Sequence, residues 1–290
     1  MMIRKEIVLK ELQVFCGVNS LGMPYTRDNK NHIGFYDVVI KELIRKGYGV
    51  SGLNFSRLDN NHTWDFEDNL TKDRSIAYLK KLQIQSIDDL RNTNALFKLV
   101  VPDSFKHTIN IMPSDYDITL KSLYLMAENP IFIYSAGPND LFSYIRSGPF
   151  ELIEKKVRDQ LPKDIIPVLK QCIGNVKNNW ELLFQLNSKV KIVALSHFYS
   201  PLYDKLQKII YFQELLENRH TKYEDVYMKV TGLYNDMLSE ASEKYDFVDY
   251  CDITFLNNYC APMDFHPNTK GNELIGEAII EKLERKLDKK

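Results

Sequence analysis

Short apolar runs alternate with helix-spaced apolar stripes along this chain, and that alternation leaves few architectures open. Leu12 to Phe15 reads as a buried strand stopped by Gly17. Phe35, Val38, Val39 and Leu43 then recur at helical spacing, and Gly47 after Arg45-Lys46 supplies a stop. Tyr48 to Phe55 suggests a second strand. A strand, helix, strand order is what a parallel sheet with crossover helices produces. The pattern continues with strands over Ile131 to Tyr134, Val190 to Leu195 and Phe247 to Val248.

Between these strands, Ser114 is expected to cap a helix running through Met126, and residues 150–187 read as helical, broken near Pro162 and Pro167. A stripe from Val226 to Ala241 marks a helix over Tyr223 to Lys244. Leu274, Ile275, Ala278, Ile279 and Leu283 mark the last one. The expectation is a three-layer α/β/α fold of about five strands, in one domain covering 1–290. Residues 60–113 mix polar turns with helical patches and read as an insertion covering the sheet edge.

Composition removes several functional classes. With 38 Lys+Arg against 39 Asp+Glu there is no whole-chain field to gather nucleic acid. The four cysteines, Cys16, Cys172, Cys251 and Cys260, form no C-x-x-C pair and read as reduced thiols. Met1 to Lys10 carries Arg4, Lys5, Glu6 and Lys10 around an apolar run too short for a signal-peptide core or a membrane span, so a soluble, cytoplasmic protein is expected. No glycine-rich phosphate loop is present. His32, His62, His107, His197 and His220 lack metal-ligand spacing.

Loops leaving the carboxyl ends of parallel strands converge on one edge, where ligands bind. Three stretches with chemical potential fall there: Asn19-Ser20-Leu21-Gly22, Gly137-Pro138-Asn139-Asp140, and Asp264-Phe265-His266-Pro267 ahead of the last helix. A serine hydroxyl becomes a nucleophile when a base within hydrogen-bond reach takes its proton, a role open to His266. An asparagine amide such as that of Asn139 can donate to an oxyanion. Taken singly, Ser20 reads as a loop serine, His266 as a helix-capping histidine and Asn139 as a turn residue. Asp140 reads as structural, tying its loop to a helix start. His197, after the fourth strand, lies on the same expected edge.

In this order the blocks resemble those of the SGNH hydrolases, the GDSL esterases and lipases, over nearly the whole chain. The family's Gly-Asp-Ser-Leu block is matched by Val18-Asn19-Ser20-Leu21, and Gly-x-Asn-Asp is intact at Gly137 to Asp140. Asp-x-x-His-Pro is matched at His266 and Pro267, with Gly271 beyond. Met263 stands at the family's acidic position, and Asp264 lies one residue nearer the histidine. The resemblance implies a flavodoxin-like parallel sheet, no metal or organic cofactor, and a serine esterase that forms an acyl-enzyme. It assigns Ser20 as nucleophile, His266 as base and Asp264 as a candidate orienting acid. A backbone carbonyl or Asp252 is the other candidate for that role. The oxyanion hole would comprise the backbone N–H of Ser20, the backbone N–H of Arg57 and the side chain of Asn139. The expected partner is a small acyl ester, an acetylated sugar among the candidates. Two other readings stay open, a non-catalytic ligand-binding protein on the same fold and an acyltransferase.

Overall fold

The computed structural model describes residues 11–18, 34–54, 63, 124–125, 127–137, 140, 165–198, 223–260 and 266–287. Within them, five strands form one sheet in the order β2-β1-β3-β4-β5: β1 (Glu11–Val18), β2 (Gly49–Asn54), β3 (Pro130–Ser135), β4 (Lys191–Leu195) and β5 (Val248–Cys251). Every neighbouring pair is parallel. Parallel strands need long crossovers; α1 (Phe35–Arg45), α2 (Ile165–Leu186) and α3 (Tyr223–Ser242) lie in three of them, and α4 (Thr269–Leu287) follows the last strand.

The two faces of the sheet are sorted by strand periodicity. Leu12, Val14, Cys16, Ile131, Ile133, Val193 and Leu195 join Phe35, Val39 and Leu43 of α1 and Ile275, Ile279 and Leu283 of α4 in one core cluster. The alternate residues Phe15, Phe132, Tyr134, Ile192 and Ala194 join Leu169, Val176, Trp180 and Leu183 of α2 and Val230, Tyr234 and Leu238 of α3 in the other. Side chains two apart along a strand share a face, so a central strand apolar on both faces requires two helical layers. The three-layer α/β/α architecture follows. All four cysteines are thiols, three of them buried and Cys260 half-buried. No helix among the described residues is long and apolar enough to cross a membrane.

Several element limits differ from those the pattern suggests. Gly17 does not stop β1: it pairs with Tyr134 inside the ladder, and the strand runs to Val18. Helix α2 passes straight through Pro167. Pro167 is its third residue, where a backbone N–H has no intrahelical partner to lose. Strand β5 pairs with β4 as far as Cys251, beyond the expected end at Val248; its middle residues, Asp249 and Tyr250, are only half-buried and carry no apolar signal. Pro162, most of the helix expected over 114–126 and all of 60–113 except Thr63 lie outside the described residues.

The start of α1 holds a titratable group in the core. Asp37 is buried at 6% exposure and accepts a hydrogen bond from Gly34 N–H at 3.0 Å. Burial pushes its carboxyl up to about 6, against the opposing pull of that bond and of Lys41. The folded state thus holds this proton more tightly than the unfolded chain does. The group's contribution to stability is complete below pH 4 and is lost as the pH rises through about 6. Asp37→Asn keeps an acceptor for Gly34 and removes the buried charge. It is expected to raise the unfolding free energy at pH 8 by up to about 3 kcal/mol and to change it little at pH 4. Urea unfolding at the two pH values checks this, and an equal increment at both would contradict it.

Candidate active site

The strands leave the sheet nearly level at their carboxyl ends. Val18 pairs with Ser135, Tyr134 with Ala194, and Leu195 with Cys251. Ser20 follows the end of β1 by two residues, Gly137 follows the end of β3 by two, and His197 follows the end of β4 by two. This edge is the one on which ligands bind in open parallel sheets.

The β3 exit is built to fine tolerance. Gly137 has φ of 112°, a conformation that side chains oppose, and a Cβ there would lie 2.5 Å from the Tyr234 hydroxyl. That hydroxyl donates to Ala136 O at 2.5 Å, and burial pushes its pKa well above the usual phenol range, so it stays a neutral donor. Gly137→Ala combines backbone strain with overlap and is expected to destabilise the protein by about 2–4 kcal/mol. Denaturant unfolding measures it, and a loss below about 0.5 kcal/mol, the level of an ordinary surface change, would contradict the account.

Asp140 ends this loop and is structural in an unexpected way. Its carboxylate, buried at 6% exposure, accepts from Thr63 N–H at 3.1 Å and from Thr63 Oγ1 at 2.5 Å. Thr63 is itself held by Asn175, whose Nδ2 donates to Thr63 Oγ1 at 3.0 Å, and by Asn179, whose Nδ2 donates to Thr63 O at 2.9 Å and to the Tyr134 hydroxyl at 2.9 Å. The network ties the β3 loop and the one described residue of 60–113 to α2. Asn175 and Asn179 lie four apart on one face of that helix, the only sequence signal that could have found them.

At β4 and β5 the main chain is equally constrained. Asn235 of α3 accepts from His197 N–H and donates to His197 O, both at 2.8 Å. Desolvation lowers the His197 imidazole to about 4, so it is neutral at neutral pH. Asp252 Oδ1 accepts from Ser196 Oγ at 3.2 Å and from Thr254 N–H at 2.9 Å, and so braces the start of a 3₁₀ helix at Thr254–Asn258.

His266 comes after β5 and the 3₁₀ helix, just ahead of α4. Cys260 and Pro267 form an antiparallel bridge, and Asn268 N–H donates to Tyr259 O at 2.7 Å. Asn268 then caps α4, its Oδ1 accepting from Gly271 N–H at 2.8 Å. Gly271 is required by contact: a Cβ there would stand 2.7 Å from Tyr259 O and 2.9 Å from Pro267 Cβ. The Pro and Gly that follow the histidine in the sequence therefore both pack against Tyr259 and Cys260. The His266 ring is half-buried, with Nε2 shielded from solvent. Of the residues expected at the site, His266 is the one the structure describes. Ser20, Arg57, Asn139 and Asp264 lie outside the described residues.

The architecture has counterparts among solved structures. A lipase from a goat rumen metagenome superposes with a TM-score of 0.51 at 14% identity, over 93% of this chain and 96% of that one. A family 3 carbohydrate esterase from Talaromyces cellulolyticus is similar with a TM-score of 0.48 at 11% identity, over 97% and 100% of the two chains. The family 3 carbohydrate esterase of Clostridium thermocellum is similar with a TM-score of 0.45 at 10% identity, over 96% and 99%. No protein-family model and no curated protein matches the sequence. The chain adopts the SGNH hydrolase fold, a parallel five-stranded α/β/α sandwich.

Proposed function

We propose that this protein is a serine acyl-ester hydrolase acting through an acyl-enzyme. Ser20 Oγ attacks the acyl carbonyl while His266 takes its proton, and the carbonyl oxygen becomes an oxyanion. The backbone N–H groups of Ser20 and Arg57 and the side-chain amide of Asn139 receive that charge. His266 returns the proton to the departing alcohol, the ester C–O bond breaks, and water then releases the acid by the same steps in reverse order. Asp264 orients the imidazole. The substrate class is a small or medium acyl ester, an O-acetyl group on a sugar being one example. The whole chain forms one domain, and residues 60–113 cover the site and limit substrate size.

The observation that carries this reading is the placement of His266. It stands beside the Cys260–Pro267 bridge and the Asn268 cap, ahead of α4, in a fold whose β1 and β3 exits are level. Those exits lead directly into Asn19-Ser20 and Pro138-Asn139. A serine-directed phosphonate tests the reading without knowledge of the substrate. Stoichiometric labelling that maps to Ser20 is the expected result. A protein inert both to the phosphonate and to a panel of acyl esters would overturn it in favour of a ligand-binding protein.

A further inference from the structure

The inward face of α4 is apolar except at one point. Asn272 is 1% exposed, between the capped start of the helix and the apolar positions Ile275 and Ile279. Its amide is fully used. Nδ2 donates to Pro267 O at 3.2 Å and to Asn268 O at 3.1 Å, and Oδ1 accepts from Phe35 N–H at 3.1 Å. The orientation is dictated by chemistry, because a flipped amide would set its oxygen against two carbonyls. Phe35 is the first residue of α1, so its N–H has no partner within its own helix. Asn272 closes that gap across 237 residues of sequence.

We propose that Asn272 is a positioning residue for His266, fixing the Pro267 carbonyl immediately after the histidine to the amino end of α1. The proposal rests on the esterase reading above. The Asn268 cap and the Cys260–Pro267 bridge hold the turn to its own neighbourhood. Asn272 alone among these bonds refers the turn to α1, the helix that follows the segment bearing Ser20. Nucleophile and base come from opposite ends of the chain, and a misplacement of about 1 Å between reacting groups costs about 10²-fold in rate. A side chain that offers an acceptor to one element and donors to the other is suited to hold that separation.

The test compares Asn272→Ala and Asn272→Ser with Asn187→Ala. Asn187 is also a buried asparagine bridging carbonyls, with Nδ2 donating to Tyr124 O and Ala127 O, but it precedes β4 at the opposite edge of the sheet. Two readouts are taken on folded protein: the rate of phosphonate labelling at Ser20, with kcat and KM on a reporter ester, and the ¹⁵N imidazole resonances of His266, assigned by their loss in His266→Gln. Both Asn272 variants are expected to lower kcat and the labelling rate about 10–100-fold, with KM nearly unchanged, and to shift the His266 resonances. Asn187→Ala is expected to lose thermal stability and keep wild-type values in both readouts. If Asn272→Ala does not fold, Asn272→Ser, which keeps a small polar group in place, carries the comparison. Unchanged His266 resonances in the folded Asn272 variants overturn the positioning role whatever the activity. A wild type inert to the phosphonate, whose His266 resonances still shift in Asn272→Ser, overturns the esterase reading alone.

Discussion

Ser20→Ala and His266→Ala are each expected to abolish turnover of any ester the wild type hydrolyses, lowering kcat by on the order of 10⁶. The two losses should not add. Without the base, the serine hydroxyl keeps its proton and attacks poorly; without the hydroxyl, the base has no nucleophile to activate. The double variant should therefore be about as impaired as either single one. Both should fold, since Ser20 lies beyond the end of β1 and the turn at His266 is held by main-chain bonds and by the Asn268 side chain. Steady-state kinetics of the three variants, with circular dichroism to establish folding, measures this. Wild-type turnover in Ser20→Ala would remove the nucleophile assignment outright.

Asp264→Asn carries the next largest expected effect, a fall in kcat of about 10⁴ with the fold intact. A histidine that accepts a proton needs an acceptor for its other ring nitrogen, which fixes the tautomer and stabilises the imidazolium. Asp252 is the rival carboxylate, and its Oδ1 is already engaged by Ser196 Oγ and Thr254 N–H at the start of the 3₁₀ helix. A carboxylate committed to bracing main chain is poorly placed to follow a ring through a catalytic cycle. Asp264 stands two residues before the histidine in the sequence. Asp252→Asn is accordingly expected to alter stability more than turnover. A loss below about tenfold in Asp264→Asn would point to a backbone carbonyl as the acceptor.

The parts of the fold that were legible in the sequence are those in which one local period carries the information. Ile131 to Tyr134 and Val190 to Leu195 lie in strands apolar on both faces, and α3 and α4 carry single stripes, so each announces itself over a short window. Edge strand β5 did not, because Asp249 and Tyr250 face partial solvent and interrupt the run. Pro167 misleads for a different reason: proline's effect depends on its place in the helix, which requires knowing where the helix begins. For the candidate site, His266, Pro267 and Gly271 were readable as a block, and the turn that unites them is local. Thr63, Asn175, Asn179 and Asn272 were not. Each is a common polar residue whose meaning lies in a partner 112, 116 or 237 positions away, and no local pattern encodes such a pairing.

The strand order also governs how this protein must be assembled. Strand β1 is the central partner of both β2 and β3, yet Gln13 meets Pro130 only across more than a hundred residues of intervening chain. Closing so long a loop costs entropy before any contact returns it, and folding slows as contacting residues lie farther apart in sequence. During synthesis the β1–β2 pair can form early, but one side of β1 stays open until β3 leaves the ribosome. For that interval Leu12, Val14, Phe15 and Cys16, all buried in the finished protein, belong to an exposed strand edge. A transiently open apolar edge is a template for pairing with other chains. The feature that brings the β1 and β3 exits side by side thus makes β1 the segment on which aggregation during expression is expected to begin.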